Sequence, residues 1–412
     1  MKPKKYHKKE HGIEKEQIDS HALFILERLK ANGHEAFLVG GSVRDLLLGH
    51  QPKDFDISTS AKPEEVKAIF RNSILIGRRF RLAHIRFGRK VIEVATFRAG
   101  DPESEDLIVR DNVFGTPEED VKRRDFTING LFYEAESESI IDYVEGYPDT
   151  KKRFLRAIGQ PYMRFKQDPV RMIRLLKFQA RFGLDVCEEA KQALLDCRHE
   201  ITKSSSARIL EEIFRMLESK SSASFIRLMA DHGLLDPLLP ELGRFLEKSE
   251  GGEIYSYLEE VDTRSHLSRP LLLSALLFPI MEKHILTHFI DRKKNPHLGL
   301  LHDEALTLIQ EVFNTFFSFP KRLKTQVANI LANQYRITPI DPKRYRTIRI
   351  PNFPDFPDTV IFFGIRTALN PALQPIYEKW QEALTSRKKD AFSPPNKRRR
   401  RGPEKSPPRR RR

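Results

Sequence analysis

Phe37-Leu38-Val39-Gly40-Gly41-Ser42-Val43-Arg44-Asp45-Leu46-Leu47-Leu48-Gly49, followed closely by Lys53-Asp54-Phe55-Asp56-Ile57-Ser58, is the stretch that decides the fold. Apolar residues run into a Gly-Gly pair and then into a short amphipathic segment. That order reads as a strand, a tight turn and a short helix whose first turn carries Arg44. Glycines let backbone approach a bound group closely, and a helix N-terminus presents aligned N–H donors to phosphate. Arg44 adds a bidentate partner for phosphate oxygens. No Gly-Lys-Ser/Thr follows, which separates the turn from a Walker A loop. The same residues would also make an ordinary strand-to-helix turn with Arg44 paired to Asp45.

Side chains alternate along a strand, so Asp54 and Asp56 share one face while Phe55 and Ile57 point into the core. Two same-face carboxylates about 6–7 Å apart suit hard cations, including the two-ion arrangement that clamps attacking and leaving oxygens in phosphoryl transfer. Ordinary solvated edge strands also carry Asp-x-Asp; the Gly-Gly-x-x-Arg-Asp turn upstream favours the catalytic reading. A third cluster is Glu118-Glu119-Asp120-Val121-Lys122-Arg123-Arg124-Asp125-Phe126-Thr127-Ile128-Asn129-Gly130. It reads as a salt-bridged helix start, or as a set placing Arg124 on a triphosphate, Asp125 near the metals and Asn129 on the nucleotide sugar. Glu93, alone in the apolar run 91–97, competes with Asp125 for a third carboxylate role, and spacing leaves both open.

The fourth cluster is Tyr162-Met163-Arg164-Phe165-Lys166-Gln167-Asp168-Pro169-Val170-Arg171-Met172-Ile173-Arg174. It predicts a helix capped by Asp168, with Pro169 at its first position. Arg171, Arg174 and Arg181 then fall along one face as a basic stripe. Asp168 and Arg171 at such a helix start can also hydrogen-bond a base edge, so that protein side chains replace a template.

Working outward, residues 20–147 mix helix and strand signals, with a helix over 20–31 capped by Asp19 or Ser20 and another from Pro63 to about Phe70. The segment 100–124 reads as a long, partly mobile loop. Beyond about 160 the pattern is helical, with no fixed repeat period. From 388 onward Pro, Arg, Lys and Ser dominate, and the tail is expected to be disordered. Trp380, Tyr377 and the many Phe residues read as helical core.

The 412 residues carry a net charge of +15, and its distribution matters more than its sum. Residues 387–412 hold 13 Lys/Arg against two acids, a net +11, and residues 1–16 a net +3, leaving +1 for everything between. Only Cys187 and Cys197 are present, which excludes a disulfide framework and a Cys-only zinc site and points to a reducing compartment. No apolar run approaches the roughly 20 residues of a membrane span, so a soluble cytoplasmic chain without a transmembrane segment is expected.

In order and spacing, the four motifs resemble the class II template-independent nucleotidyltransferases of the polymerase β superfamily, namely bacterial poly(A) polymerases and CCA-adding enzymes. The resemblance covers about residues 20–240. It implies Asp54 and Asp56 as metal ligands and Asp125 as a third catalytic acid. It also implies that Gly40, Gly41, Arg44 and Arg124 hold the triphosphate, with Asn129, Asp168, Arg171 and Arg174 on the nucleotide. Gln167 departs from the Glu that many CCA-adding enzymes place before this Asp. Within the family, Leu75-Ile76-Gly77-Arg78-Arg79-Phe80-Arg81-Leu82-Ala83-His84-Ile85 is similar to a segment of bacterial poly(A) polymerases, and the Arg-rich end points the same way. Arg78, Arg79 and Arg81, with Arg398, Arg399, Arg400 and Arg401 in the tail, would grip RNA phosphates without sequence preference.

The expected architecture is therefore α+β: a polymerase β-like nucleotidyltransferase head followed by an irregular all-helical neck, body and tail. The expected divisions are a basic N-terminal tail (1–19), the head (20–150), a neck that recognises nucleotide and RNA (151–240), a body (241–386) and a basic RNA-binding tail (387–412). The expected activity is addition of AMP from ATP to RNA 3′ ends, with Mg²⁺ or Mn²⁺, by a monomer. CCA addition to tRNA is the alternative, and a non-catalytic RNA-binding protein on the same scaffold is the second.

Overall fold

A computed structural model describes residues 2–77, 82–99, 113–313, 316–340, 348 and 350–392. Arg78, Arg79 and Arg81, the tail arginines Arg398 to Arg401 and the loop residues 100–112 lie outside the described residues.

The head is built on a mixed sheet. In chain order its elements are β1 (Lys4–His7), α1 (Ser20–Ala31), β2 (Ala36–Val39), α2 (Gly41–Leu47), β3 (Asp56–Thr59), α3 (Pro63–Ile69), β4 (Ser73–Ile76), β5 (Leu82–Phe87), β6 (Lys90–Thr96), α4 (Pro117–Lys122), β7 (Leu131–Glu134) and β8 (Ser139–Asp142). The eight strands run in the order β1-β8-β7-β2-β3-β6-β5-β4, antiparallel except for the parallel pair β3–β6. Alternation along β2 decides which face is which. Leu38 packs with Ile25 and Leu29 of α1 and with Ile57, Val94 and Tyr133, while Phe37 and Val39 join Phe97, Phe132 and Ile141 on the other face. Phe37 and Phe132 stack there with centroids 5.3 Å apart. Toward β4 that second face opens: Ile74, Ile76 and Val91 are exposed, whereas Ala83, Ile85, Ile92 and Val94 are buried beneath.

Several local expectations hold. Asp19 caps α1, its carboxylate accepting from the His21 and Ala22 amides at 2.9 and 3.3 Å. Pro63 occupies the first turn of α3.

Others need correction. Residues 4–7, expected in a basic tail, add an edge strand to β8, and the nearby lysines pair inward: Lys4 with Glu145, Lys5 with Glu134, Lys8 with Glu138. Within the expected loop 100–124, Val113–Phe114 pairs with Arg98–Ala99 and α4 follows. Thr116 and Glu119 form a reciprocal capping box with Pro117 in the first turn, so the Thr-Pro-Glu-Glu signal was present in the sequence.

The helical part begins with α5 (Gly146–Lys151), α6 (Pro161–Gln167), α7 (Val170–Phe182), α8 (Glu188–Cys197), α9 (Ser206–Leu217) and α10 (Ser222–Asp231). It continues with α11 (Pro240–Leu246), α12 (Gly252–Thr263), α13 (Arg269–Ile285), α14 (Leu298–Phe313), α15 (Lys321–Ile337), α16 (Phe356–Leu369) and α17 (Gln374–Phe392). Pro161, Pro240 and Gly252, which punctuate the sequence, start helices here, because a helix's first turn needs no proline N–H. One hydrophobic cluster runs from Phe126 to Ile365, across the expected divide at 240/241. Trp380 is buried with Phe356 and Phe363 in a smaller cluster. Arg269–Ile290 is long and apolar enough to cross a membrane by length and composition, yet 67% of its most apolar window is buried in this core.

Candidate active site

The open face of the sheet carries a row of polar side chains. Asp54 and Asp56 are exposed while Phe55 and Ile57 are buried, the alternation expected, although the strand itself starts only at Asp56. In the parallel β3–β6 pair Ile57 lies opposite Val94, which puts Glu93 beside Asp56 one residue earlier. Glu93 in turn faces His84 across β5–β6, with His84 Nε2 3.2 Å from Glu93 Oε1. Asp56 is solvent-accessible, yet the protein around its carboxylate desolvates it, and Glu93 and Asp54 add negative field. Together they push Asp56 up to about 6, with Arg124 opposing. Among the described residues no group of three His, Cys, Asp or Glu side chains closes around a common point as a metal cage would.

Beside this row stands the glycine turn. Gly40 has φ +65°, a region costly for other residues, and precedes α2. A Cβ on Gly40 would lie 3.1 Å from Arg124 Nη1, and one on Gly41 3.5 Å from Arg44 Nη2. The turn is thus flanked by two guanidinium groups. Arg44 is buried and does pair with Asp45, donating from Nε to Oδ1 at 2.8 Å, while Nη1 donates to Asn129 Oδ1 at 2.7 Å. Arg124 donates to Asp120 Oδ2 at 2.8 Å and to Ser58 Oγ at 3.3 Å.

The network continues inward. Asn129 Nδ2 donates to Asp125 Oδ1 at 2.9 Å, and Asp125 Oδ2 lies 2.9 Å from Arg174 Nη2 on α7. Arg174 in turn approaches Glu212 of α9, which also pairs with Lys177. Burial alone would raise the Asp125 pKa. Arg174, Asn129, Arg171 and the Phe126 amide outweigh it and hold the carboxyl below its ordinary range. Asp125 is therefore committed to a buried ion pair, and the carboxylates acting on Asp56 are Glu93 and Asp54.

The expected basic stripe of α7 is turned onto the head, with Arg171 buried and Arg174 and Arg181 half-buried. Arg171 donates to the Arg123 carbonyl at 3.0 Å. Arg174 reaches Asp125, and Arg181 Nη2 lies 2.9 Å from Asp45 Oδ2. Asp168 does not cap α7 either: Pro169 holds the N-cap position, and the Asp168 carboxylate lies in a fork from Arg208, at 3.0 and 2.9 Å. Gln167 is buried and accepts from Arg164 Nη1 at 3.0 Å. Burial, then the neighbouring Arg171, pushes Arg164 down to about 10, and Arg164 donates to the Arg123 and Arg124 carbonyls at 2.9 and 2.8 Å. These two arginines satisfy carbonyls that the end of α4 leaves open.

Sequence reasoning assigned no role to Arg164, Arg208 or Glu212. Only the Arg-rich start of the fourth motif hinted at the first. The other two sit on α9, about 40 residues beyond the motif whose side chains they meet, and nothing local marks them.

Comparison with known proteins fits this geometry. The Poly A polymerase head domain model matches residues 36–156, and the probable RNA and SrmB-binding site of polymerase A matches 183–246. Poly(A) polymerase I of Escherichia coli O6:H1 is 34% identical over 408 residues, 93% of this chain and 86% of that protein. A CCA-adding enzyme of Lactobacillus helveticus is 35% identical over 63% of this chain and 64% of its own length. Among solved structures, an apo form of a CCA-adding enzyme aligns with a TM-score of 0.57 at 20% identity, covering 88% of this chain and 83% of the other, a likeness of fold. With both domain models in sequence order and this likeness to poly(A) polymerase I along 93% of its length, the chain belongs to the bacterial poly(A) polymerase family.

Proposed function

We propose that this chain adds AMP from ATP to RNA 3′ ends without a template. The observation that carries the reading is how far each likeness extends: 93% of the chain for poly(A) polymerase I, against 63% for the CCA-adding enzyme. A nucleotide substrate and a divalent cation belong to the family's chemistry in general.

The donor set suits Mg²⁺ or Mn²⁺. Asp54 and Asp56 offer hard oxygens open to solvent, and the negative field that raises Asp56 is one a dication would neutralise. Mg²⁺ commonly takes one or two carboxylates and completes its shell with water and substrate phosphates, so a three-residue cage is not needed. Bound there, it supplies Lewis-acid polarisation of phosphate oxygens and neutralises developing charge. We assign the third carboxylate to Glu93, beside Asp56, because Asp125 is held by Arg174 and Asn129.

Arg44 and Arg124 take the triphosphate at the glycine turn, where a Cβ on Gly40 would press against the Arg124 guanidinium and one on Gly41 would touch that of Arg44. Asn129, held between Arg44 and Asp125, borders the sugar. The RNA 3′-oxygen bonds to the α-phosphorus as the bond to the β-phosphate bridging oxygen breaks, releasing pyrophosphate. Catalysis of this kind is mostly positioning and charge neutralisation. Asp168, Arg171 and Arg174 form the base-reading group, with Arg208 orienting Asp168. Residues 78–81 and the C-terminal arginines hold the RNA backbone through phosphate contacts.

The test supplies ATP or CTP with an unstructured RNA and with a tRNA lacking its end. Long A tracts on the generic RNA are expected. Ordered C, C, A addition confined to tRNA would replace the reading with CCA addition, and no cation-dependent pyrophosphate release with any nucleotide would leave a binding protein.

A further inference from the structure

The buried Arg44 is hydrogen-bonded within the head, to Asp45 and Asn129, and is packed from the other side by α7 of the neck. Its guanidinium carbon stands 4.6 Å from the ring centroid of Phe178 and 4.8 Å from that of Phe182, and these two rings stack on each other at 6.3 Å. Both phenylalanines are 3% exposed. Arg181, between them in sequence, shares the Asp45 carboxylate with Arg44: Arg44 Nε donates to Oδ1 at 2.8 Å and Arg181 Nη2 lies 2.9 Å from Oδ2. Arg181 also lies over the Phe182 ring, at 4.6 Å.

Two consequences follow from elementary electrostatics and stereochemistry. Among the described residues, Arg44 commits Nε and one Nη2 hydrogen to Asp45 and one Nη1 hydrogen to Asn129. Of its five N–H groups, one on each terminal nitrogen is left, and Nη2 is the atom 3.5 Å from where a Gly41 Cβ would stand. Both ring centroids lie within 5 Å of the guanidinium carbon, so the packing leaves the group little room to turn and those two donors keep their direction. The Arg44–Asp45 pair by itself is neutral and would attract phosphate weakly. Arg181, itself half-buried, returns one positive charge to the group through the buried Asp45 carboxylate, where salt screens less than it does between exposed charges.

From this we infer that Phe178, Arg181 and Phe182 are positioning residues that set the direction and net charge of Arg44 for the polyphosphate, and that α7 is a strut shared by base and phosphate. Its N-terminal half carries Arg171 and Arg174, and its C-terminal half carries the seat of Arg44. A base that shifts α7 alters the phosphate grip through the same rigid element. The inference rests on the reading of Arg44 as a triphosphate ligand.

The experiment uses the full chain with Arg44→Ala, Arg181→Ala, Arg181→Lys and the Arg44→Ala/Arg181→Ala double variant. It measures KM for ATP, kcat, inhibition by inorganic pyrophosphate and by adenosine, and thermal midpoint. Arg181→Ala is expected to raise KM for ATP and the inhibition constant of pyrophosphate together by about tenfold, the loss of about one charged hydrogen bond's worth of binding. Adenosine inhibition should stay within about twofold, and Arg181→Lys, which keeps the charge without the fork, should recover part of the loss. In the Arg44→Ala background, Arg181→Ala should add little, because residues acting through one another are non-additive.

Additive losses in the double variant, or a fall in kcat with KM and pyrophosphate inhibition unchanged, would overturn the inference and leave Arg181 as interface packing. If Arg44→Ala itself moved neither ATP nor pyrophosphate binding, the reading of Arg44 would fail first. Phe182→Leu, which keeps apolar volume but removes the ring face, is the second probe. It should follow Arg181→Ala in pyrophosphate inhibition, with some lowering of the thermal midpoint from the lost ring contact, and normal pyrophosphate inhibition in it would remove the rings from the inference.

Discussion

The open carboxylate row and the buried arginine network are two solutions to the same problem, how to hold charge beside a polyphosphate. On the row, Asp54, Asp56 and Glu93 lie together with little counter-charge from the protein, and Asp56 is pushed up to about 6 as a result. In the network, Arg44, Arg124 and Arg174 are each matched to Asp45, Asp120 and Asp125. The row carries negative charge that the protein leaves largely uncompensated, whereas in the network each of these arginines already has a counter-charge. Removing a charge should therefore have opposite effects on stability in the two places, whatever it does to activity.

The largest effect is expected on the row. Asp56→Asn should lower kcat by about 10²–10³-fold, the range seen when an electrostatic contact to a reacting group is removed. Its effect on stability has the other sign. A carboxylate whose folded pKa lies above its unfolded value destabilises the fold once ionised, fully so above about pH 6. Without divalent cation at pH 8, Asp56→Asn should therefore melt at or above the temperature of the parent, with the gain fading as pH falls toward 4. A markedly lower midpoint at pH 8 would show that Asp56 is tied into the fold like the network.

In the network the corresponding change is costly. Asp125→Asn leaves the half-buried Arg174 with Glu212 alone as counter-charge, and breaking a fully buried pair from one side, which costs about 3–5 kcal/mol, sets the upper bound. The sign follows from the shift: the folded pKa of Asp125 is depressed, so its contribution is present above the ordinary carboxylate range and lost as pH falls through the folded value. The stability gap between parent and variant should be widest at neutral pH and begin to narrow only once pH falls below about 4. Urea unfolding at pH 7.5 and pH 3.5 measures it. A gap independent of pH would mean packing, not charge, holds Asp125.

The row was legible in sequence and the network largely was not, for a physical reason. Alternation with period two fixed Asp54 and Asp56 against Phe55 and Ile57 from six residues alone, and the glycine turn announced itself through its dipeptide. Which carboxylate lies beside the pair depends on which strand is next to β3, a non-local choice that no spacing encodes; the parallel β3–β6 pairing puts Glu93 beside Asp56. The arginines of α7 were placed on one face correctly, but what that face meets is set by the docking of head on neck. A stripe that would be basic in isolation is turned onto Asp45 and Asp125. Proline and glycine also open helices here, Pro161 in the first turn of α6 and Gly252 at the start of α12, so neither residue alone marks where a helix ends.

The smallest stability effect should come from the pair that belongs to neither region. Arg208 and Asp168 meet in a two-pronged fork at the surface, with the Arg208 side chain 56% exposed. An exposed ion pair typically contributes no more than about 1 kcal/mol, so Arg208→Ala should shift the unfolding free energy by less than that. Orientation is another matter. With both carboxylate oxygens released from the fork, Asp168 regains rotamer freedom, and a base edge that depended on one fixed acceptor is held less selectively. Nucleotide discrimination, measured as the ratio of kcat/KM for ATP to that for CTP, should therefore fall by about tenfold while stability hardly moves, with Arg208→Lys intermediate because a point charge cannot reproduce the fork. An unchanged ratio would mean that Asp168 is oriented by its backbone position after α6, and that the fork is a surface pair with no bearing on which base is accepted.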